Sequence, residues 1–179
     1  MLTSHHELTP RDMQRRVDMA EWFDENPDVL DRLWFSDEAH FFLAGAMNPN
    51  NAVHWGKERP DEVRSTPLHS QKVTAWIAMR RGGGLIGSFF FEDERGHAVT
   101  VTTQRYLSTA LEPFLEELKK IEGIDHKTEW LQQDGAPPHT SSTALQWLQT
   151  HFHGRLVSLK TEVPWAPHSP DLSPLDFFL

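Results

Sequence analysis

Three segments of this chain carry apolar residues at helical spacing. The first lies between residues 10 and 33, and a longer stripe runs from about Thr103 to Ile121, where Pro113 is expected to kink the helix. In the third segment an apolar stripe follows Ser141 or Thr140, either of which can cap a helix through its hydroxyl oxygen. The pattern therefore predicts three helices distributed along the chain.

Runs of bulky apolar and aromatic residues predict strands between these helices. In LWFSDEAHFFLAG we expect two buried strands, Leu33 to Ser36 and His40 to Leu43, with Asp37 at their junction. QKVTAWIAMR alternates apolar and polar positions, and Gly82 to Gly84 connect it to the strand LIGSFFF. Because these glycines link two strands and open no helix, a hairpin turn is favoured over a phosphate-binding loop.

Two short strands complete the predicted sheet. TEWLQQD is expected to end at Asp134, and Arg155 to Leu159 forms the last strand. Hairpin strands followed by strands that alternate with helices predict an α/β fold, in which a mixed sheet is flanked by helices.

Composition narrows the class of protein. A chain of 179 residues suits one domain with a substantial core, and its formal net charge of −9 argues against a general nucleic-acid-coating protein. The absence of cysteine excludes disulfides, thiolate zinc sites and thiol nucleophiles. No apolar run approaches the roughly 20 residues of a membrane span, and the first residues lack the pattern of a signal peptide. We expect a soluble protein inside the cell.

The candidate chemistry lies in three aspartates. Asp37 and Asp134 each follow a predicted strand, where ligands gather in open α/β sheets, and Asp176 follows a proline-rich loop. Three carboxylates fit Mg²⁺ or Mn²⁺, and two such ions roughly 4 Å apart can promote in-line displacement at phosphorus. Taken alone, an Asp after a strand is more commonly a turn former or a helix cap. Glu38 would point away from Asp37 if the strand continues, and we expect it to support the site or lie at the surface.

The sequence around these acids carries a family resemblance. FSDEAHF, WLQQDGAPPHT and PWAPHSPDLSPLDFF resemble, in order, the three acid-bearing motifs of mariner-type (D,D,D/E) DNA transposases, and HELTP resembles the end of the linker before their catalytic domain. The resemblance covers essentially the whole chain. It implies a ribonuclease-H-like fold, with catalytic and metal-binding roles for Asp37, Asp134 and Asp176. Asp171 is the alternative third acid, although it matches the turn-forming Asp of the family.

The resemblance also implies an activity and a cofactor. The chain would cleave transposon ends and join them to target DNA with the help of Mg²⁺ or Mn²⁺, as two ions. The alternative is an inactive or domesticated remnant that binds DNA or protein. A third interpretation is a structure-selective nuclease that cleaves without strand joining.

Domain bounds and partners follow from the same resemblance. Residues 1–32 would form a linker and lead-in helix, and residues 33–179 a C-terminally truncated catalytic domain. We expect DNA as a partner, a homodimer formed through the loop at residues 44–70, and a nuclear location in a eukaryotic host. The candidate DNA contacts are His139, Lys72, Arg80 and Arg81.

Overall fold

The computed structural model describes residues 8–42, 72–169 and 172–175. The strands are β1 (Leu33–Phe42), β2 (Lys72–Arg80), β3 (Gly84–Phe90), β4 (Trp130–Gln132), β5 (Leu156–Ser158) and β6 (Val163–Pro164). The helices are α1 (Pro10–Glu25), α2 (Thr103–Arg105), α3 (Glu112–Leu118) and α4 (Ser142–Phe152). None of the helices in these ranges has the length and hydropathy needed to cross a membrane.

The strands of the described residues form one six-stranded mixed sheet in the order β3-β2-β1-β4-β5-β6. β1, β2 and β3 pair antiparallel as consecutive strands, and the predicted glycine turn connects β2 to β3. β4, β5 and β6 extend the sheet in parallel from the other side of β1. The prediction of a mixed sheet flanked by helices is confirmed. The two-residue strand β6 had no signal in the sequence.

The prediction of two strands around Asp37 is wrong, because β1 is continuous. β2 pairs with β1 along its whole length, and Asp37 lies opposite Ile77 in the middle of that ladder. Pairing with β4, however, ends at Phe35 and Gln132. Asp37 therefore lies inside a strand on its β2 side and just beyond the parallel ladder on its β4 side.

Side-chain caps account for where the helices begin. At α1, Thr9 and Asp12 form a reciprocal capping box: the Asp12 amide donates to Thr9 Oγ1 at 3.2 Å, and the Thr9 amide donates to Asp12 Oδ2 at 3.1 Å. At α4, the Ala144 amide donates to the Ser141 hydroxyl at 3.2 Å, so of the two candidate caps Ser141 fills the role. Each cap satisfies a backbone amide that the first helical turn leaves unpaired.

The long helix expected from Thr103 to Ile121 contains an irregularity. A π-helical segment, Tyr106–Leu111, separates α2 from α3, and the Glu112 amide donates to the carbonyl of Leu107. The segment ends just before Pro113, whose nitrogen has no hydrogen to donate. A wide π turn therefore occurs where the sequence predicted a kink.

Two apolar clusters place the sheet between helices. On one face Trp34 and Trp76 pack edge to face against Phe114 of α3, with ring centroids 5.7 and 5.4 Å apart. The same cluster includes Phe152 of α4. On the opposite face, Met19 of α1 packs in a second cluster that includes Leu33, Val157, Val163 and Trp165. The fold is thus a helix-sheet-helix sandwich with β1 and β4 at its centre.

Candidate active site

The central strands β1 and β4 bring two of the predicted acids close together at one end of their shared ladder. The two strands run parallel with Phe35 level with Gln132, and two residues further along each chain stand Asp37 and Asp134. Neighbouring strands lie about 4.8 Å apart. The backbone positions of both acids are therefore adjacent just past the end of the β1–β4 ladder, although Asp37 lies inside β1 and not at a strand end as the sequence predicted.

Asp37 projects from the face of β1 that carries Leu33 and Phe35, because side chains alternate along a strand. Its Oδ1 accepts a hydrogen bond of 2.8 Å from the Glu38 amide. Glu38 faces the other side of the sheet. Its side chain is only 13% exposed, so Glu38 is not a surface acid, and a supporting role at the site stays a prediction.

The turn after β4 holds the carboxylate of Asp134. The Ala136 amide donates to Asp134 Oδ1 at 2.9 Å, and Nδ1 of His139 lies 2.5 Å from the same oxygen. Burial raises the pKa of Asp134, but the hydrogen bond and positive charge of His139 outweigh it and hold that pKa below its ordinary value. Asp134 is therefore ionised at neutral pH, as a metal-binding carboxylate must be.

His139 connects the two acid-bearing strands. Its Nε2 lies 3.0 Å from Oε1 of Glu38, while Nδ1 contacts Asp134, and the residue is 3% exposed. Burial opposes protonation of the ring, yet the hydrogen bonds and charges of the two carboxylates raise the pKa of His139 to about 9. His139 is accordingly an imidazolium between two carboxylates. Direct contact of His139 with DNA stays a prediction.

A buried polar network lies below His139. The Tyr106 ring stacks against the imidazole with centroids 4.1 Å apart, and its hydroxyl donates to Gln133 Oε1 at 2.8 Å. Gln133 Nε2 in turn donates to the His139 carbonyl and to the Ser158 hydroxyl, each at 3.0 Å. Sequence reasoning missed Tyr106 and Gln133. Gln133 stands next to Asp134, and Tyr106 is the single tyrosine of the chain, but neither fact indicates which residue the side chain contacts.

The third acid cannot be placed, because Asp176 and the alternative Asp171 lie outside the described residues. The segment between them is described at residues 172–175, where Leu175 is 2% exposed. Pro174 lines a cavity of about 390 Å³ together with Phe35, which shares the face of β1 with Asp37. The choice between the two aspartates stays a prediction.

The candidate basic residues Lys72, Arg80 and Arg81 lie at the two opposite ends of β2. Lys72 pairs with Phe42, beyond Asp37 along β1, whereas Arg80 pairs with Trp34 at the other end of the same ladder. The Arg80 guanidinium lies 3.5 Å from buried Glu129, and that of Arg81 lies 3.3 Å from Asp31. Lys72 thus lies past Asp37 in the direction in which β1 runs, and the two arginines lie on the other side of it. Because Ile77, the partner of Asp37, is five positions from Lys72 and three from Arg80, the structure brings none of these three residues next to the acids.

The donor set at this edge fits a divalent cation. Carboxylate oxygens are the hard ligands that Mg²⁺ and Mn²⁺ prefer, and Asp37 and Asp134 supply two carboxylates from adjacent strands. Within residues 8–42, 72–169 and 172–175 no three side chains of His, Cys, Asp or Glu are grouped as a complete metal site. A third ligand would have to come from outside these ranges or from substrate and water.

The fold has close counterparts among solved structures. A pre-cleavage Mos1 transpososome superposes with a TM-score of 0.74 and 20% identity, covering 99% of this chain and 49% of that one. The Mos1 mariner paired-end complex with Mn gives a TM-score of 0.72 at 21% identity over 99% of this chain and 49% of that one. The catalytic domain of Mos1 mariner transposase gives 0.64 at 22% identity over 98% and 71%. The chain has the fold of the mariner transposase catalytic domain.

This likeness confirms the ribonuclease-H-like fold that the sequence motifs predicted. No protein-family profile matches the chain, and neither does any curated protein. The chain spans about half the length of the Mos1 chains in the transpososome and the paired-end complex.

Proposed function

We propose that this chain is the catalytic domain of a DNA transposase, which cleaves transposon ends and joins them to target DNA. The observation that carries the proposal is the parallel register of β1 and β4, in which Asp37 and Asp134 each stand two residues past the last paired positions, Phe35 and Gln132. The fold shared with the Mos1 catalytic domain supports it. The motifs around both acids point to the same activity.

The reaction we propose depends on Mg²⁺ or Mn²⁺, bound as two ions by Asp37, Asp134 and Asp176, with Asp171 as the alternative third ligand. Mos1 paired-end complexes are described with Mn and with Mg. Such ions activate the attacking oxygen and stabilise the leaving one when bound. The protein contributes rigid placement: β1 fixes Asp37, and the turn after β4 holds Asp134 through the Ala136 amide and His139.

The proposed partners are DNA and a second copy of the chain. The Mos1 neighbours include a paired-end complex with transposon DNA, which supports DNA as substrate. Lys72 is exposed and pairs with Phe42 at the carboxyl end of β1, past Asp37, where its ammonium group is available to a DNA phosphate. The loop at residues 44–70, through which we propose dimer formation, lies outside the described residues. In a eukaryotic host the site of action would be the nucleus.

The test is Mn²⁺-dependent nicking of supercoiled plasmid, which requires no knowledge of the transposon-end sequence. Asp134→Ala is expected to abolish nicking while the far-ultraviolet circular dichroism stays unchanged. Asp24→Ala, on the exposed surface of α1, is the matched control and should nick like the unsubstituted chain. Nicking retained by Asp134→Ala would refute the assignment.

The same preparation separates the alternative functions. A remnant that only binds DNA or protein would show no Mn²⁺ binding that depends on Asp134. A structure-selective nuclease would nick DNA but would not join a cleaved 3′ end to a second duplex. Joining by the unsubstituted chain would support the transposase over both.

A further inference from the structure

We propose that His139 is a positioning residue of this metal site: by engaging Oδ1 of Asp134 it leaves Oδ2 as the oxygen that binds the divalent cation. The inference rests on the proposed function, since it assumes that Asp134 binds a metal. It adds a specific binding mode, in which Asp134 binds through one oxygen only. It also assigns a task to a buried histidine.

The hydrogen bonds around Asp134 distinguish its two oxygens. Oδ1 accepts from the Ala136 amide at 2.9 Å and contacts His139 Nδ1 at 2.5 Å, so both of its lone pairs are engaged. The described residues place no donor on Oδ2. Because the side chain is 46% exposed, Oδ2 is open to solvent and to a cation.

His139 can hold Asp134 in one orientation because its own ring is fixed. Nε2 is engaged by Glu38 at 3.0 Å, so a ring flip would break contacts at both nitrogens. The Tyr106 ring stacks on the imidazole face at 4.1 Å, and the backbone carbonyl of His139 accepts from Gln133 at 3.0 Å. Because His139 is only 3% exposed, water has little access to the ring and cannot easily replace these partners.

Glu38, the partner of His139 Nε2, also connects the two strands that carry the acids. Glu38 directly follows Asp37 on β1, whereas Asp134 follows β4, and the Glu38 and His139 positions are 101 residues apart. The bridge Glu38-His139-Asp134 therefore ties the turn that carries one acid to the strand that carries the other. Partners of ligating carboxylates tune metal affinity, and their loss typically weakens it by roughly 10- to 100-fold.

Two substitutions can separate positioning from mere stability. In His139→Asn, the side-chain amide nitrogen stands as many bonds from the backbone as Nδ1 and can still donate to Asp134. In His139→Gln, the amide nitrogen corresponds to Nε2 and can reach only Glu38. Both variants lose the imidazolium charge and the Tyr106 stacking, so both should lower the melting temperature by similar amounts.

The readout is Mn²⁺ affinity of the full chain, followed by electron paramagnetic resonance of free Mn²⁺, with melting curves recorded beside it. We expect His139→Asn to bind Mn²⁺ within about threefold of the unsubstituted chain and His139→Gln to bind it roughly 10- to 100-fold more weakly. Equal affinities in the two variants, or weaker binding by His139→Asn, would overturn the positioning role.

Controls make failure of the proposed function distinguishable. Asp134→Asn should abolish the Mn²⁺ binding and Asp24→Asn should leave it intact. Binding that requires Asp134 but does not separate the His139 variants removes the positioning role alone, whereas no Asp134-dependent binding removes both proposals. If both His139 variants fail to fold, Glu38→Ala is compared with Glu38→Gln, which keeps an acceptor for Nε2. Weaker Mn²⁺ binding by Glu38→Ala is expected, and equality or the reverse overturns the inference.

Discussion

The indole Nε1 of Trp34 donates a hydrogen bond of 2.9 Å to Oε2 of Glu129, and both residues are buried. The Arg80 guanidinium lies 3.5 Å from the same carboxylate oxygen. Removing the Glu129 carboxylate would leave the buried indole N–H without an acceptor and the guanidinium charge without its partner. We expect Glu129→Ala to lower the free energy of unfolding by about 3 kcal/mol. Glu129→Gln retains an acceptor for the indole and should cost about 1 kcal/mol.

Urea denaturation of the metal-free chain measures both losses. Glu122→Ala serves as a control, because Glu122 is exposed beyond the end of α3. Equal losses for the alanine and glutamine variants would show that the carboxylate does not stabilise the indole and guanidinium groups.

Ser141 supplies a second stability test because it begins the helix that follows the active-site turn. Its hydroxyl accepts from the Ala144 amide at 3.2 Å. Ser141→Ala leaves that amide unsatisfied and should lower the free energy of unfolding by about 1 kcal/mol, whereas Ser141→Asp keeps an acceptor and should cost less. Ser142→Ala, at the neighbouring exposed position, is the matched control. A loss in the control as large as in Ser141→Ala would contradict the cap.

The His139 imidazolium makes stability depend on pH when no metal is present. The pKa of His139 is raised from 6.5 to about 9, so the proton is bound more tightly in the folded state. The resulting stabilisation is fully present below pH 6.5 and is lost as the pH rises through about 9. A shift of this size corresponds to about 3 kcal/mol.

The measurement is the difference in free energy of unfolding between the unsubstituted chain and His139→Asn, recorded in EDTA across this pH window. The difference should shrink steadily from pH 6.5 to beyond 9. A difference that stays constant would show that the ring is not charged in the folded state.

Local sequence patterns predicted the elements whose signals are themselves local. The alternation in β2, the glycine turn before β3 and the serine cap of α4 all depend on residues within a few positions of one another. β1 shows the limit of such reasoning. Its polar centre at Ser36 and Asp37 favoured a break, but pairing with β2 along the whole strand keeps it extended.

In the candidate site, too, some features follow from local sequence and others depend on contacts between distant residues. The sequence predicted that Asp37 and Asp134 would converge because each was expected to follow a strand, and the β1–β4 register does bring their backbone positions level. The premise held for Asp134 and failed for Asp37, which lies inside β1. The link between Glu38 and His139 spans 101 positions and depends on the packing of the Tyr106 ring. No periodicity or spacing encodes a contact of that kind, so only the assembled fold reveals it.

Lys72 and Arg81 stand at opposite ends of β2, on the two sides of Asp37 along the β1–β2 ladder, and so allow DNA binding at the two ends of the sheet to be compared. Lys72 is exposed and pairs with Phe42 beyond Asp37, while Arg81 follows the other end of β2 and pairs with Asp31 at 3.3 Å. If DNA lies past Asp37 at the carboxyl end of β1, Lys72→Ala should weaken DNA binding and reduce the slope of log affinity against log salt by about 1. Arg81→Ala removes an equal charge from the opposite end of β2 and should leave that slope unchanged.

Fluorescence anisotropy with a labelled duplex at several salt concentrations measures both slopes. The same slope change in both variants would mean that the effect comes from net charge in general. A change in Arg81→Ala alone would contradict the prediction and place the DNA at the Arg81 end of β2.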